Sequence, residues 1–292
     1  MQNRKPLDFS RGFFSNSMRK NSLVTVFLFF LFVSCVREET IDISSKYQSQ
    51  LFVVGFLSPD NNVQIYVGKT IPFGSKRINP EDFKIFDAKV EITEEGGDTY
   101  LLNPIGNGVP AYGCTKEQFS VSAGKTYLLE VRHDEFPTVF AKTTIPSNKA
   151  LWKNLELSPD EMYYYIVSGT WEKAEDIDIK QYGVRLENLE PYRLNKGTNE
   201  DIFPQGNLIT VKRDIFIANG ENRVRATLLT RDVHYSEFSR TSDLIWDITE
   251  NFSSAGFAEI ISGFKGVIPQ HSNIQNGAGV FGSYLSDTRV IE

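Results

Sequence analysis

Cys35 is the residue whose setting in the sequence speaks most directly of chemistry. It follows an eleven-residue apolar run, residues 23–33, and a small Ser34, with Arg19 and Lys20 before the run. A basic stretch, a short apolar core, a small residue and then a thiol is the pattern of a secretory leader cut just ahead of a cysteine that takes lipid. FVSC resembles a lipobox, with Phe32 where Leu is usual. The run is too short to remain as a membrane span, which takes roughly 20 residues. Cys35 is therefore expected to be lipidated. Several acyl chains, at roughly 0.8 kcal/mol per buried methylene, hold a protein on a bilayer where one chain is marginal. Residues 1–34 read as the signal peptide, with either Met1 or Met18 as its start, and 35–50 as a polar, flexible tether.

The other candidates carry less. His133, His234 and His271 lie in separate segments, with no HExxH or CxxC spacing to gather a metal. Solvated or capping roles are expected for them. Cys114 is left without a partner once Cys35 is acylated, so no disulfide staples the fold, and a buried apolar role is expected for it. AGKT at 123–126 ends like a phosphate-binding loop, but Phe119 stands where that motif needs Gly, and a strand pattern follows instead of a helix. A serine nucleophile finds no GxSxG elbow. Asp134 and Glu135, Asp160 and Glu161, and Glu175, Asp176 and Asp178 fall in expected turns without the calcium-loop pattern. Arg223, Arg225 and Arg231 share strand parity and read as an exposed basic face. Tyr163 and Tyr165, with Trp171 nearby, form the candidate binding surface: an aromatic strand face suits a glycan or protein contact, although such rings also fill β cores. No catalytic residue, metal or cofactor is assigned.

These residues sit on a chain that reads as mostly β. Aromatics make up 13% of the 292 residues, 22 Phe and 12 Tyr among them, and such residues favour strands. Val63, Ile65 and Val67 alternate with polar neighbours beyond the turn at Pro59 to Asn62; Ala88, Val90 and Ile92 repeat the pattern before Gly96 and Gly97; Tyr127, Leu129 and Val131 repeat it again. Short alternating strands with little helix between them imply antiparallel sandwiches. Two are expected: an N-terminal immunoglobulin- or transthyretin-like domain at 51–146 and a C-terminal β-rich domain at 147–292. Residues 147–160 read as a connection. One helix is expected near 233–252, where Tyr235, Phe238, Ile245 and Phe252 make an apolar stripe. The leader holds five basic residues and one acid, so the formal charge of −6 for the whole chain becomes −10 once it is removed. Nucleic acid, bound mainly through Lys and Arg, is excluded as a partner.

Several phrases then combine into a resemblance. LFVVGFLSPDNNVQIYVGKTIP, DAKVEITEEGGDTYLLN, AGKTYLLEVRHDEFPTVFAKTTIP and the ending IPQHSNIQNGAGVFGSYLSDTRVIE come in an order that resembles the Bacteroidetes lipoprotein family called domain of unknown function 4249. Glu38 and Glu39 after Cys35 look like the acidic export signal of surface lipoproteins in that phylum. The resemblance implies a surface- or periplasm-facing outer-membrane lipoprotein of a kind often encoded beside a TonB-dependent receptor; a lipid-anchored, surface-exposed, non-enzymatic accessory or binding component of such a receptor is expected. It supplies no catalytic residues. An envelope hydrolase with a scattered active site, or a structural or adhesive surface protein, remains open. Gly277, Gly279 and Gly282 in the closing block are expected to let a strand bend or approach another backbone closely.

Overall fold

The computed structural model describes residues 48–70, 84–106, 108–160, 164–175, 179, 181–189, 198–202, 206–217, 223–241 and 271–292. The leader, Cys35 and most of the tether lie outside the described residues, as do Tyr163 and the expected helix beyond 241. Lys46–Glu292 forms one compact unit.

The protein is mostly β, and its alternating sequence segments become the strands around a first core. β1 (Leu51–Leu57) and β2 (Val63–Lys69) form the opening hairpin. β3 (Lys89–Glu94) and β4 (Thr99–Pro104) form the next, whose turn uses Gly96 at φ 79. β5 (Ala111–Cys114), β6 (Thr126–His133) and β7 (Phe136–Thr144) complete the set. Every second side chain of β1, β3 and β6 points inward, which puts Leu51, Val53, Val90, Ile92, Leu129 and Val131 in one apolar cluster. Fully burying each such side chain is worth about 1.5–3 kcal/mol.

A second core lies between two sheets. β8 (Trp152–Pro159), β9 (Tyr164–Glu172) and β12 (Leu208–Phe216) form a three-stranded sheet in the order β12-β9-β8. Facing it are β10 (Tyr182–Asn188), β11 (Thr198–Ile202), β13 (Val224–Arg231) and the second half of β14 (Ala278–Ile291), in the order β11-β10-β13-β14. In chain order this is a seven-strand sandwich with its first, second and fifth strands on one side, the immunoglobulin-like arrangement. Trp152, Trp171 and Tyr182 meet edge-on at its centre, with ring centroids 5.2 and 5.8 Å apart. Residues 147–160, read above as a connection, contain β8. Its register shifts between Trp152 and Asn154, which breaks the alternation that marks a strand.

β14 joins the two cores. Its first half pairs in parallel with β1, from Phe52 opposite Ala278 to Leu57 opposite Ser283, the one parallel pair among the described strands. Its second half pairs antiparallel with β13, from Arg231 opposite Tyr284 to Val224 opposite Ile291. The result is an eleven-stranded sheet, β11-β10-β13-β14-β1-β2-β5-β4-β3-β6-β7. Its far end curls back until β7 packs beside β14. A bridge from Phe140 to Gln275 and bonds from Asn273 to Lys142 O and Asn276 to Thr138 O close the curl. Ile274, Phe281 and Leu285 thereby enter the first core although they lie at the end of the chain.

Gly279 makes the parallel pairing feasible. Its φ is 114°, and an added Cβ would lie 2.0 Å from Val53 O. Gly279→Ala is expected to lower stability by about 3 kcal/mol or more, as backbone strain and displacement of β1 add together. Urea unfolding of the purified chain measures it; a midpoint like that of the unsubstituted protein would contradict the packing described.

Candidate functional site

Polar groups gather where β13 ends and β14 passes from one core to the other. Arg231 and Asp232 lead there into helix α1, described over 233–241, and both are buried. The Arg231 guanidinium lies over Gly183, where an added Cβ would fall 2.2 Å from Nη2. Its other side faces the Tyr235 ring at 4.5 Å, and Nη1 donates to Ser239 Oγ at 3.3 Å. Tyr235 stacks on Phe56 of β1 with centroids 4.1 Å apart, and Tyr284 of β14 meets it edge-on at 5.8 Å. Phe238 flanks Phe56 at 6.1 Å. This aromatic seam fixes α1 over the join between β1 and β14.

Beside the seam is a crevice of about 300 Å³ with a polar lining that includes Asp60, Asn61, Arg185, Glu187, Tyr284 and Ser286. Asn61 Nδ2 donates to the Tyr284 hydroxyl and Ser286 Oγ to Asp60 Oδ2, each at 2.8 Å. Burial pushes the Tyr284 phenol above its usual pKa. Arg185 and Arg225 both pair with Glu187, at 2.6 and 3.2 Å. The crevice therefore presents donors and acceptors of both signs.

Asp232 starts the helix: its Oδ1 accepts the Tyr235 N–H at 2.8 Å, an N-cap. Its Oδ2 lies 2.5 Å from Thr143 Oγ1, which lies 3.1 Å from Ser283 Oγ, which donates to Thr144 O at 2.9 Å. Thr143 Oγ1 is the donor to Asp232 Oδ2. Burial pushes the Asp232 carboxyl pKa up, against the hydrogen bonds from Thr143 and Tyr235. The network binds β7, α1 and β14 at one point.

His234 and His271 meet on the outer side of α1. Nδ1 of the first lies 3.2 Å from Nε2 of the second, and the ring planes differ by 16°. A cavity of about 270 Å³ next to them is lined by Lys142, Thr143, Thr144, Asp232, Val233 and His234. Among the described residues no group of three or more His, Cys, Asp or Glu is placed to hold a metal ion. The sequence gives no signal for the histidine pairing, because 36 residues separate its members.

The other sequence candidates disperse. Trp171 is wholly buried in the second core and Tyr165 packs against it, so the aromatic face expected of these two turns inward. Exposure goes to Tyr164 instead, at 49%. Strand parity explains the correction, since Trp171 shares its side with the buried Val167. Tyr163 and Cys35 lie outside the described residues. The basic face also divides: Arg223 pairs with Glu292 and Arg225 with Glu187 at the surface, whereas Arg231 is buried under Tyr235. His133 Nε2 pairs with Asp87 Oδ1 at 3.1 Å. Cys114 is buried and unpaired, and burial pushes its thiol pKa up, which disfavours the reactive thiolate. AGKT forms the turn into β6, with Gly124 at φ 73.

A family model described as domain of unknown function DUF4249 matches residues 36–289. The chain belongs to this family. The DUF4249 region takes in both cores, the seam and the histidine pair, and it begins one residue after Cys35. No curated protein matches the chain. Among solved structures, a cytokine receptor complex matches at 14% identity and a TM-score of 0.26, covering 60% of this chain and 89% of the other. The FN1–FN3 domains of chicken CNTN1 match at 9% identity and 0.28, covering 61% and 56%. A two-domain fibronectin type III segment of chicken tenascin matches at 9% and 0.21, covering 63% and 91%.

The cap and the raised carboxyl pKa at Asp232 lead to a substitution test. Asn at 232 can accept from Tyr235 and donate to Thr143, so Asp232→Asn is expected to unfold within about 1 kcal/mol of the parent at neutral pH. Asp232→Ala loses the cap and leaves Thr143 with an unmet partner, for an expected cost of about 2–3 kcal/mol. A raised carboxyl pKa contributes stability that is complete below the unfolded value of 3.8 and is lost as pH rises through the folded value. The gap between Asp232→Asn and the parent should therefore move in favour of Asn as pH rises, a trend that chemical denaturation at several pH values measures.

Proposed function

We propose that this DUF4249 protein is an outer-membrane lipoprotein of the Bacteroidetes type, anchored through Cys35 and exposed at the cell surface. It acts there as a non-enzymatic accessory or binding component of a TonB-dependent receptor. The observation that carries this reading is the leader itself: basic residues, an apolar run of eleven, Ser34 and then Cys35, with the family region starting at residue 36. The body fits a binding role better than a catalytic one. Its histidines face each other or a lone carboxylate, the Cys114 thiol is buried, and the Thr143 and Ser283 hydroxyls are buried and hydrogen-bonded.

Among the described residues no helix is long and apolar enough to cross a membrane. The lipid therefore supplies the attachment in this reading. Acylation confines the body to two dimensions and raises its effective concentration near a membrane partner without a large intrinsic affinity. The crevice between the turn at Asp60 and the Tyr284 wall offers hydrogen-bonding groups of both signs for such a contact.

Cys35→Ala is expected to move the protein from the membrane fraction to the soluble envelope fraction, and mass spectrometry of the parent should show an acylated Cys35. Affinity purification of the tagged parent from outer membranes should carry a TonB-dependent receptor with it. Equal membrane yield for Cys35→Ala and an unmodified thiol would refute the anchor; repeated recovery of the acylated protein alone would refute the receptor role.

A further inference from the structure

We propose that His234 and His271 form a pH-sensitive clasp that holds the segment leading into β14 on helix α1 and opens when both rings carry a proton. The geometry is that of a hydrogen bond rather than a stack. Ring planes 16° apart, centroids 5.5 Å apart and nitrogens separated by 3.2 Å place the imidazoles nearly coplanar and head to head. A single proton lies between the two nitrogens, donated by one ring and accepted by the other. The pair can therefore hold one positive charge and keep its bond, but two imidazolium rings present N–H to N–H and repel.

The clasp has a second contact and a defined target. His271 N–H donates to Thr241 Oγ1 at 2.9 Å, so the same residue ties the segment to the far end of the described helix. Two residues on, Asn273 donates to Lys142 O and to Phe281 O and accepts the Phe281 N–H. Opening the clasp frees residues 271 and 272 from α1, while Asn273 and Gln275 keep their bonds to β7. The change is local.

The charges around the pair set its range. From α1, Asp232 and Glu237 favour a proton on His271, while Arg240 opposes one and is itself bound to Glu237 at 2.8 Å. From β7, Lys142 lines the adjoining cavity, and its amino group is held by Glu95 at 2.8 Å. Burial is the largest influence and, with the charge of His234, lowers the His271 pKa below its ordinary 6.5. A depressed histidine contributes stability that is complete above the unfolded value and is lost as pH falls through the folded one. The clasp thus loosens as pH falls through the lowered His271 value.

The test uses the purified chain with 15N-labelled histidine. The His271 ring signal should titrate below the ordinary value of 6.5, and its titration should change when residue 234 is Gln. Amide exchange at His271, corrected for intrinsic rate, should speed up at least about tenfold between neutral pH and roughly pH 5, as expected of a local opening. His234→Gln and His271→Gln should each flatten this dependence while keeping the β spectrum of the parent. Independent titrations near the ordinary value, or His271 exchange that follows pH equally in parent and variants, would overturn the proposal. If one Gln variant fails to fold, the other gives the comparison, and the ring titration of the parent decides by itself.

Discussion

One strand holds this molecule together. β14 lies in parallel against β1 over its first half and antiparallel against β13 over its second, so it belongs to both hydrophobic cores. Gly279 and Gly282 within it, and Gly277 just before it, follow from that duty. An added Cβ at Gly277 would reach Leu51 O at 2.7 Å, at Gly279 Val53 O at 2.0 Å, and at Gly282 Tyr235 N at 3.0 Å. Backbone contact on three sides leaves no room for side chains, and close approach is where glycine is required. Cross-links between the β8 and β14 edges add to the hold: Trp152 N–H donates to Asp287 Oδ2, and Arg289 donates to Trp152 O.

Much of this architecture can be read from period-two patterning. β1, β2, β3, β6 and β7 alternate cleanly, because one face of each lies on the core and the other meets water. β8 escaped that reading because its bulge shifts the parity of Trp152 relative to Leu155 and Leu157. The parallel partner of β1 escaped it because register between distant segments leaves no local trace, and a glycine-rich strand has a weak pattern of its own. Trp171 shows a third difficulty: aromatic content marks a strand but does not say which face is covered. Gly169, two residues before it, holds that information, since an added Cβ there would lie 2.3 Å from the Trp152 ring and so marks the inward side. The histidine pair depends entirely on the fold, with one member on α1 and the other beyond residues that lie outside the description.

Buried polar groups do a different job from the apolar cores. The cores make β structure favourable without choosing where α1 docks, since burial of apolar surface has no direction. Arg231 over Gly183, Asp232 capping Tyr235, and the hydroxyls of Thr143 and Ser283 all have direction, and together they set the helix in one place. Leaving any of them unpaired costs about 1–3 kcal/mol, so alternative placements are penalised at several points.

Sharing β14 also bears on how the chain acquires its shape. A ribosome makes β1 well before its parallel neighbour, and until β14 appears the first core lacks Phe281 and an edge of β1 stays bare. Such distant pairing folds slowly. On the reading proposed above, in which residues 1–34 export the chain, the delay has a use: the polypeptide remains threadable until it has crossed a membrane, and only then do β1 and β14 meet.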